Sequence, residues 1–189
     1  MRITGGEARG RRIKIPSLPS VRPTSERARE AIFSSLEHLL PRWGSVLDLF
    51  AGSGALGLEA LSRGAEEADF VDRDPRCCKV IRENLKILGF EGRGRVWCMD
   101  VRKAVSCLSK KYDLIFLDPP YDLDPKGILE EIGRRLAKEE TIIILEHSKH
   151  LKPPERFDNF LLARRLSHGD TEISFYKIGD KEGFVSGNI

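Results

Sequence analysis

The sequence has few cysteines and no long apolar run. Its four cysteines are Cys77, Cys78, Cys98 and Cys107. None of them forms a C-x-x-C pair, which argues against a zinc site and a disulfide framework, so we expect a reducing compartment and no metal. No apolar run approaches the ~20 residues of a membrane span. The first residues also lack the apolar core of a secretory signal. We therefore expect a cytoplasmic protein without a membrane partner.

Positive charge is concentrated near the start of the chain. The 189 residues carry a net charge of +3, yet residues 1–42 hold nine Lys or Arg against four Glu. A basic end on a near-neutral body is typical of a segment that binds a polyanion, although a solvated basic face gives the same pattern. The candidate nucleic-acid contacts are Arg2, Arg9, Arg11, Arg12, Lys14, Arg22 and Thr24.

Short apolar runs alternate with helical patterns from residue 45 onward. Strands are predicted at 45–50, 68–72, 95–99, 113–117 and 141–145, and a hairpin of two more at 160–166 and 171–176. Alternation of this kind predicts right-handed crossovers and a parallel sheet with helices on both faces. We expect an α/β, Rossmann-like fold with a mostly parallel, seven-stranded sheet.

The chain divides into three predicted parts. Residues 1–23 read as a basic β-hairpin around Gly5, Gly6 and Gly10, followed by a proline-rich connector. Residues 24–178 form the main domain, which begins with a helix capped by Thr24 or Ser25. Residues 179–189 are a polar tail.

A glycine-rich loop follows the first predicted strand. Residues 52–57 match G-x-G-x-x-G, and Asp72 lies 20 residues after Gly52. This spacing is the dinucleotide fingerprint, so a nicotinamide oxidoreductase is one interpretation. The loop also suits S-adenosylmethionine, because Asp48 is placed for its cationic amino group and Asp100 for its adenine amine. A chain of this length leaves little room for the separate substrate domain of an oxidoreductase.

The sequence Asp118-Pro119-Pro120-Tyr121 ends the apolar run 114–117. A carboxylate accepts hydrogen bonds, a proline stiffens the backbone without an N–H, and a tyrosine offers a flat face for stacking. An exocyclic amine on a planar base suits such a site, because it presents two N–H donors beside a π-face. The alternative is a strand end with an acidic cap and a proline-stiffened turn.

The motifs resemble known enzymes. Residues 48–54 followed by residues 118–121 resemble the class I methyltransferases that act on exocyclic nitrogens. Residues 2–6, 9–11, 22–24 and 29–33 resemble the RsmD-type family, which methylates N2 of a guanine in 16S ribosomal RNA. The resemblance spans about residues 1–177. Asp72 departs from it where the family more often has Glu, and Ser25-Glu26 replaces a Ser/Thr-Asp pair.

The resemblance implies a methyl donor, S-adenosylmethionine, with S-adenosylhomocysteine as product. It implies that residues 24–178 are the methyltransferase domain. It assigns catalysis to Asp118, Pro119, Pro120 and Tyr121. The implied cofactor residues are Asp48, Phe50, Ala51, Gly52, Ser53, Gly54, Asp72, Arg73, Asp100, Val101 and Asp118. The implied partner of this monomer is 16S ribosomal RNA, either free or within an assembling 30S particle.

Three rivals stay open from the residues alone. A methyltransferase of the same chemistry could act on DNA adenine or on a protein glutamine. A nicotinamide oxidoreductase fits the glycine loop. A non-catalytic RNA-binding module fits the basic start, but four acids at four strand ends (Asp48, Asp72, Asp100 and Asp118) argue against a lapsed site.

Overall fold

A computed structural model describes residues 1–18, 24–40 and 43–179. Arg22 and residues 180–189 therefore lie outside the described residues. The elements in chain order are α1 Glu26–Leu39, β1 Ser45–Leu49, α2 Ala55–Ser62, β2 Glu67–Asp72, α3 Pro75–Leu88, β3 Gly94–Cys98, α4 Val101–Cys107, β4 Tyr112–Leu117, α5 Lys126–Arg135, β5 Ala137–Ser148, β6 Arg156–Phe157, β7 Phe160–His168 and β8 Thr171–Ile178.

The strands form one sheet in the order β3-β2-β1-β4-β5-β8-β7-β6. The first five pair in parallel, and the last three add to β5 in antiparallel fashion. The predicted α/β fold with a mostly parallel sheet is confirmed, but the predicted seven strands are eight. The extra strand, β6, pairs through only two residues, which is too short to carry a periodic pattern.

Helices cover both faces of the sheet, as predicted. Apolar side chains of α1, α2 and α3 pack in one core cluster, and those of α4 and α5 pack in a second. Side chains alternate across a strand, so Val46 joins the first cluster while Leu47 and Leu49 join the second. No helix in the described ranges is long and apolar enough to cross a bilayer.

Side chains cap the first turns of three helices, and the cap of α1 at Ser25 agrees with the prediction. The Ser25 hydroxyl accepts from the Ala28 N–H at the start of α1, and the Asp74 carboxylate accepts from the Arg76 N–H at the start of α3. Asp100 accepts from the Arg102 N–H and opens α4. These side chains satisfy N–H groups that have no partner inside the helix. Asp74 and Asp100 follow β2 and β3, so the helices that they cap begin at the carboxyl edge of the sheet.

The N-terminal segment, residues 1–18, packs against the body of the protein. Its predicted hairpin is reduced to one antiparallel bridge, between Arg2 and Arg12. Ile3, Ala8 and Ile13 are buried in the first core cluster. The segment therefore contributes apolar surface to the core as well as positive charge to the surface.

A buried carboxylate fastens the N-terminal segment to two helices. Glu59 on α2 accepts hydrogen bonds from the Thr4 N–H at 2.9 Å and the Gly5 N–H at 2.7 Å. The same carboxylate pairs with Arg63 at 3.0 Å and with Arg29 of α1 at 3.6 Å. Arg29 and Glu59 are both fully buried. A buried charge needs such partners, because its hydration is lost on folding.

Replacement of Glu59 by alanine should strongly destabilise the fold. The change leaves Arg29 as an uncompensated buried charge, which costs about 3–5 kcal/mol in the free energy of unfolding. Urea denaturation followed by circular dichroism measures this loss. Glu83→Ala is the matched control, because Glu83 pairs with Lys14 at the exposed surface and water screens that pair. Equal losses in the two variants would contradict a structural role for the buried pair.

Candidate active site

A cavity of about 610 Å³ opens at the carboxyl ends of the parallel strands. This volume is in the range of sites for small molecules. The cavity lies beside the point where the sheet order reverses between β1 and β4, which is where ligands bind in doubly wound sheets. Residues that follow β1, β2, β3 and β4 all contribute to its wall.

The structure brings most of the predicted catalytic and cofactor residues to this cavity. Those that line it are Asp48, Phe50, Ala51, Gly52, Ser53, Asp72, Arg73, Asp100, Val101, Asp118, Pro119, Pro120 and Tyr121. Gly54 does not line it but lies behind the loop as the N-cap of α2. Thr24, which was assigned to nucleic-acid contact, also lines the cavity.

The glycine loop needs backbone conformations that most residues avoid. Gly52 and Gly54 have φ values of 56° and 77°, and Phe50 adopts a φ of 60° although it has a side chain. Such a residue costs about 1–3 kcal/mol and is found mostly at functional sites. Gly57 has a different reason, because an added Cβ would lie 2.4 Å from the Phe70 ring. The loop is thus a tight turn that lets α2 pack closely on β2.

Asp72 joins the glycine loop to the turn after β2. One carboxylate oxygen accepts from the Gly52 N–H at 2.8 Å, and the other accepts from the Asp74 N–H at 2.8 Å. Each oxygen has a second lone pair, so the carboxylate retains capacity for a hydroxyl donor of a ligand. Its position at a wall of the cavity suits a ribose diol.

Asp48 lies beneath the loop. It is only 2% exposed and accepts from the Gly57 N–H at 2.9 Å. Burial raises the pKa of Asp48 to about 7, the Gly57 hydrogen bond partly opposes this, and the nearby Asp72 charge adds to the rise. A cation bound next to this carboxyl would favour its charged form.

Asp118 lies at the end of β4 and is half-buried in the cavity wall. Burial raises the pKa of Asp118 well above its usual range, and the charges of Glu146 and Asp48 raise it further. Tyr121 stands 57% exposed at the mouth of the cavity, with its hydroxyl 3.3 Å from that of Thr171. Asp118 therefore lies inside the cavity and the Tyr121 ring lies at its mouth. This arrangement suits a planar base whose exocyclic amine enters the cavity while its ring stacks on Tyr121.

The cavity is strongly acidic. Its lining includes seven Asp or Glu side chains and only two Arg side chains, Arg73 and Arg102, both exposed. Such a field attracts a cationic ligand and disfavours the diphosphate of a dinucleotide. Within the described ranges, no group of three or more His, Cys, Asp and Glu side chains is arranged to hold a metal ion.

The structure adds residues that sequence reasoning missed. Glu146 on β5 lines the cavity and accepts from the Thr24 hydroxyl at 2.9 Å. The turn between β7 and β8, residues 168–171, forms another part of the wall. Glu146 follows a run of apolar residues, just as Asp118 does, so the same pattern could have identified it. Gly169, Asp170 and Thr171 of the turn also fit the family resemblance, but no site role was assigned to them. The antiparallel pairing of β8 with β5 brings the turn to the site.

Of the predicted nucleic-acid residues that the structure describes, Thr24 lines the cavity and the others do not. The Arg2 guanidinium donates to the Gly10 carbonyl, and Lys14 pairs with Glu83 at 2.7 Å. Arg11 donates to the carbonyls of Ile87 and Leu88 at the end of α3. By helix rise, that end lies about 16 Å along α3 from Cys77, which lines the cavity.

Two of these arginines, Arg9 and Arg12, differ from the others in their contacts. Within the parts of the chain that the structure describes, the Arg9 and Arg12 side chains are exposed and make no hydrogen bond or ion pair. Arg2, Arg11 and Lys14 satisfy at least part of their charge within the protein. Arg22 cannot be compared, because it lies outside the described residues.

Known proteins resemble the chain over nearly its whole length. Residues 1–177 match the family described as Conserved hypothetical protein 95. The chain is 38% identical over 182 residues to Ribosomal RNA small subunit methyltransferase D of Escherichia coli, covering 94% of this chain and 89% of that protein. It is 29% identical to the protein of the same name in Haemophilus influenzae, covering 94% and 93%.

A solved structure has the same fold. A hypothetical protein of Thermus thermophilus is 33% identical, with a TM-score of 0.79 over 94% of this chain and 99% of the other. The family match and the relatives agree with the RsmD-type resemblance of the motifs and confirm it. The chain therefore belongs to the Conserved hypothetical protein 95 family, together with its RsmD-type relatives.

Proposed function

We propose that the protein transfers a methyl group from S-adenosylmethionine to the exocyclic N2 amine of a guanine in 16S ribosomal RNA. The observation that carries the proposal is that Asp118–Tyr121 and the glycine loop line one cavity. The name of the Escherichia coli relative supports ribosomal RNA of the small subunit as the substrate. The enzyme acts as a monomer through residues 24–178, on free RNA or on an assembling 30S particle, which would put it in the cytoplasm.

The residues present fit the methyl donor. When bound, S-adenosylmethionine supplies a methyl group on a positively charged sulfur. The acidic lining of the cavity suits that charge and the amino group of the methionine, for which Asp48 is the candidate partner. Asp72 would hold the ribose hydroxyls. Asp100, which already caps α4 through the Arg102 N–H at 2.9 Å, would accept from the adenine amine.

The acceptor amine needs help, because its lone pair is delocalised into the guanine ring. The Asp118 carboxylate and the Pro119 carbonyl would each accept one N–H, which aims the nitrogen lone pair at the methyl group. As the N–C bond forms and the S–C bond breaks, S-adenosylhomocysteine would leave as the neutral product, and the amine, acidic once methylated, would give its extra proton to the Asp118 carboxylate. Positioning and preorganised hydrogen bonds are the main sources of acceleration in this scheme. Tyr121 would stack on the base, worth about 1–3 kcal/mol. The base must leave its own stack to reach the cavity.

Transfer of a labelled methyl group tests the proposal directly. The protein is incubated with labelled S-adenosylmethionine in four parallel reactions. These contain 30S particles, naked 16S ribosomal RNA, DNA or protein as the substrate. We expect label in the RNA, recovered as N2-methylguanosine by mass spectrometry of the nucleosides. Label in DNA or protein would favour the rival methyltransferases. Binding of NAD in place of S-adenosylmethionine, measured by calorimetric titration, would favour the oxidoreductase.

Replacement of Asp118 by alanine should abolish most turnover while cofactor binding survives. Loss of one preorganised polar contact lowers turnover by about 10²-fold or more. Single-turnover methyl transfer and calorimetric titration of S-adenosylmethionine measure the two effects separately. Asp122→Ala is the matched control, because this neighbouring acid is exposed and does not line the cavity. Retained turnover in Asp118→Ala would show that the carboxylate does not hold the amine.

Substitution of Arg9 and Arg12 by glutamine should weaken RNA binding and its salt dependence. For single-stranded RNA, each lost phosphate contact reduces the slope of log affinity against log salt by about 0.7. Filter binding at several salt concentrations measures the slope. Arg134→Gln on α5 is the control, since α5 packs on the other face of the sheet from the N-terminal segment. An unchanged slope in the double variant would show that Arg9 and Arg12 do not contact RNA phosphates. Point substitutions are needed, because deleting the segment would remove Ile3 and Ile13 from the core.

A further inference from the structure

Glu146 and Asp118 occupy equivalent places on neighbouring strands. β4 and β5 pair in parallel with Leu117 opposite Leu145, so the next residue on each strand is Asp118 and Glu146. Adjacent strands lie about 4.8 Å apart. Phe116 and Ile144, two residues earlier on each strand, belong to the same core cluster. By the alternation of side chains, both acids face the side of the sheet that α1 covers.

The Glu146 carboxylate is held by a residue just before α1. One of its partners is the Thr24 hydroxyl, which donates at 2.9 Å from the residue before the cap of α1. The Thr24 carbonyl in turn accepts from the buried Arg29 guanidinium at 2.9 Å. Arg29 also donates to the Arg2 carbonyl and pairs with Glu59. The acid on β5 is thus tied by consecutive contacts to the buried ion pair that holds the N-terminal segment.

We propose that Glu146 is a positioning residue for Asp118: Thr24 anchors it, and its negative charge keeps the Asp118 carboxylate turned toward the cavity and sets the pH range in which Asp118 can accept an amine. The role in catalysis rests on the proposed function. The interaction of the two carboxylates does not, and it can be measured without RNA or cofactor.

Other charged groups also face Asp118. Those that line the same cavity are Asp48, Asp72, Arg73, Asp74, Asp100, Arg102, His168 and Asp170, and of these Asp48 has a resolved effect on the pKa of Asp118. After burial, Glu146 is the largest cause of the raised pKa of Asp118, ahead of Asp48. This order agrees with the strand register, because Glu146 is next to Asp118 whereas Asp48 lies two positions further down on β1, opposite Phe116.

Carbon-13 NMR titration of the Asp118 carboxyl tests the interaction. Glu146→Gln removes the charge and keeps an oxygen that can accept from Thr24. Since a like charge disfavours the ionised form, its removal should lower the Asp118 midpoint by about one pH unit. Glu139→Gln is the matched control, because Glu139 is exposed at the amino end of the same strand. An unchanged Asp118 midpoint in Glu146→Gln would overturn the proposal.

Titration of the unaltered protein gives a second measurement that does not depend on how the variant folds. Two carboxylates that interact by more than about one pH unit titrate as a pair, and the curves of both residues then show two steps. We expect this behaviour for Asp118 and Glu146. Independent single-step curves for both residues would contradict the proposal.

Kinetics connect the pair to catalysis. In Glu146→Gln the acid limb of the kcat profile should move to lower pH, because Asp118 stays ionised further into acid. Thr24→Val removes one hydrogen bond and should lower kcat about 10-fold. KM for S-adenosylmethionine should change little, and Thr24→Ser should restore kcat. A purely structural role would lower the melting temperature and leave the pH profile in place, which would overturn the proposal.

If the NMR midpoint of Asp118 shifts but no RNA is methylated by the unaltered protein, the interaction of the two carboxylates is supported and the proposed function is wrong.

Discussion

Parallel pairing of β1 with β2 on one side and β4 on the other creates the site. Parallel strands end at the same edge, and the chain leaves β1 and β4 in different directions because the sheet order reverses between them. The crevice at that edge separates the glycine loop from Asp118. Each group comes from a different part of the sequence, so neither forms the cavity alone. The buried central strands fix the points from which the two loops start, and a reaction between two bound molecules depends on such positioning.

The acidic side chains inside the cavity destabilise the folded state, because they are buried close to one another. Asp48 is almost fully buried, and burial together with like charges raises the pKa of both Asp48 and Asp118. In a site without a function, apolar residues would stabilise the same strand ends better. Groups of acids with raised pKa values in a cleft are typical of functional sites. A cationic ligand would offset the repulsion, which is the physical reason to prefer a sulfonium over a dinucleotide.

The arginines of the N-terminal half illustrate two uses of one side chain. Arg29 is fully buried and satisfies carbonyls of Arg2 and Thr24, whereas Arg9 and Arg12 are exposed. Local charge alone does not separate these cases, because the difference is in the tertiary contacts. The same network that holds the N-terminal segment also reaches Glu146 through Thr24. Consecutive contacts therefore join the N-terminal segment to a carboxylate of the cavity.

Local chemistry in the sequence determined most of the elements and much of the site. Alternating apolar runs predicted the parallel strands, and Thr24 or Ser25 was predicted to cap the first helix. Asp72, Asp100 and Asp118 were placed at strand ends, which meet at one edge of a parallel sheet. These features depend on neighbouring residues and on the general rules of parallel sheets. Only the tertiary structure decided that Glu146 stands beside Asp118, that the β7–β8 turn closes the cavity, and that Arg11 binds the end of α3. Each of these is a contact between residues distant along the chain, and its geometry follows from strand register and packing, which local sequence patterns do not specify.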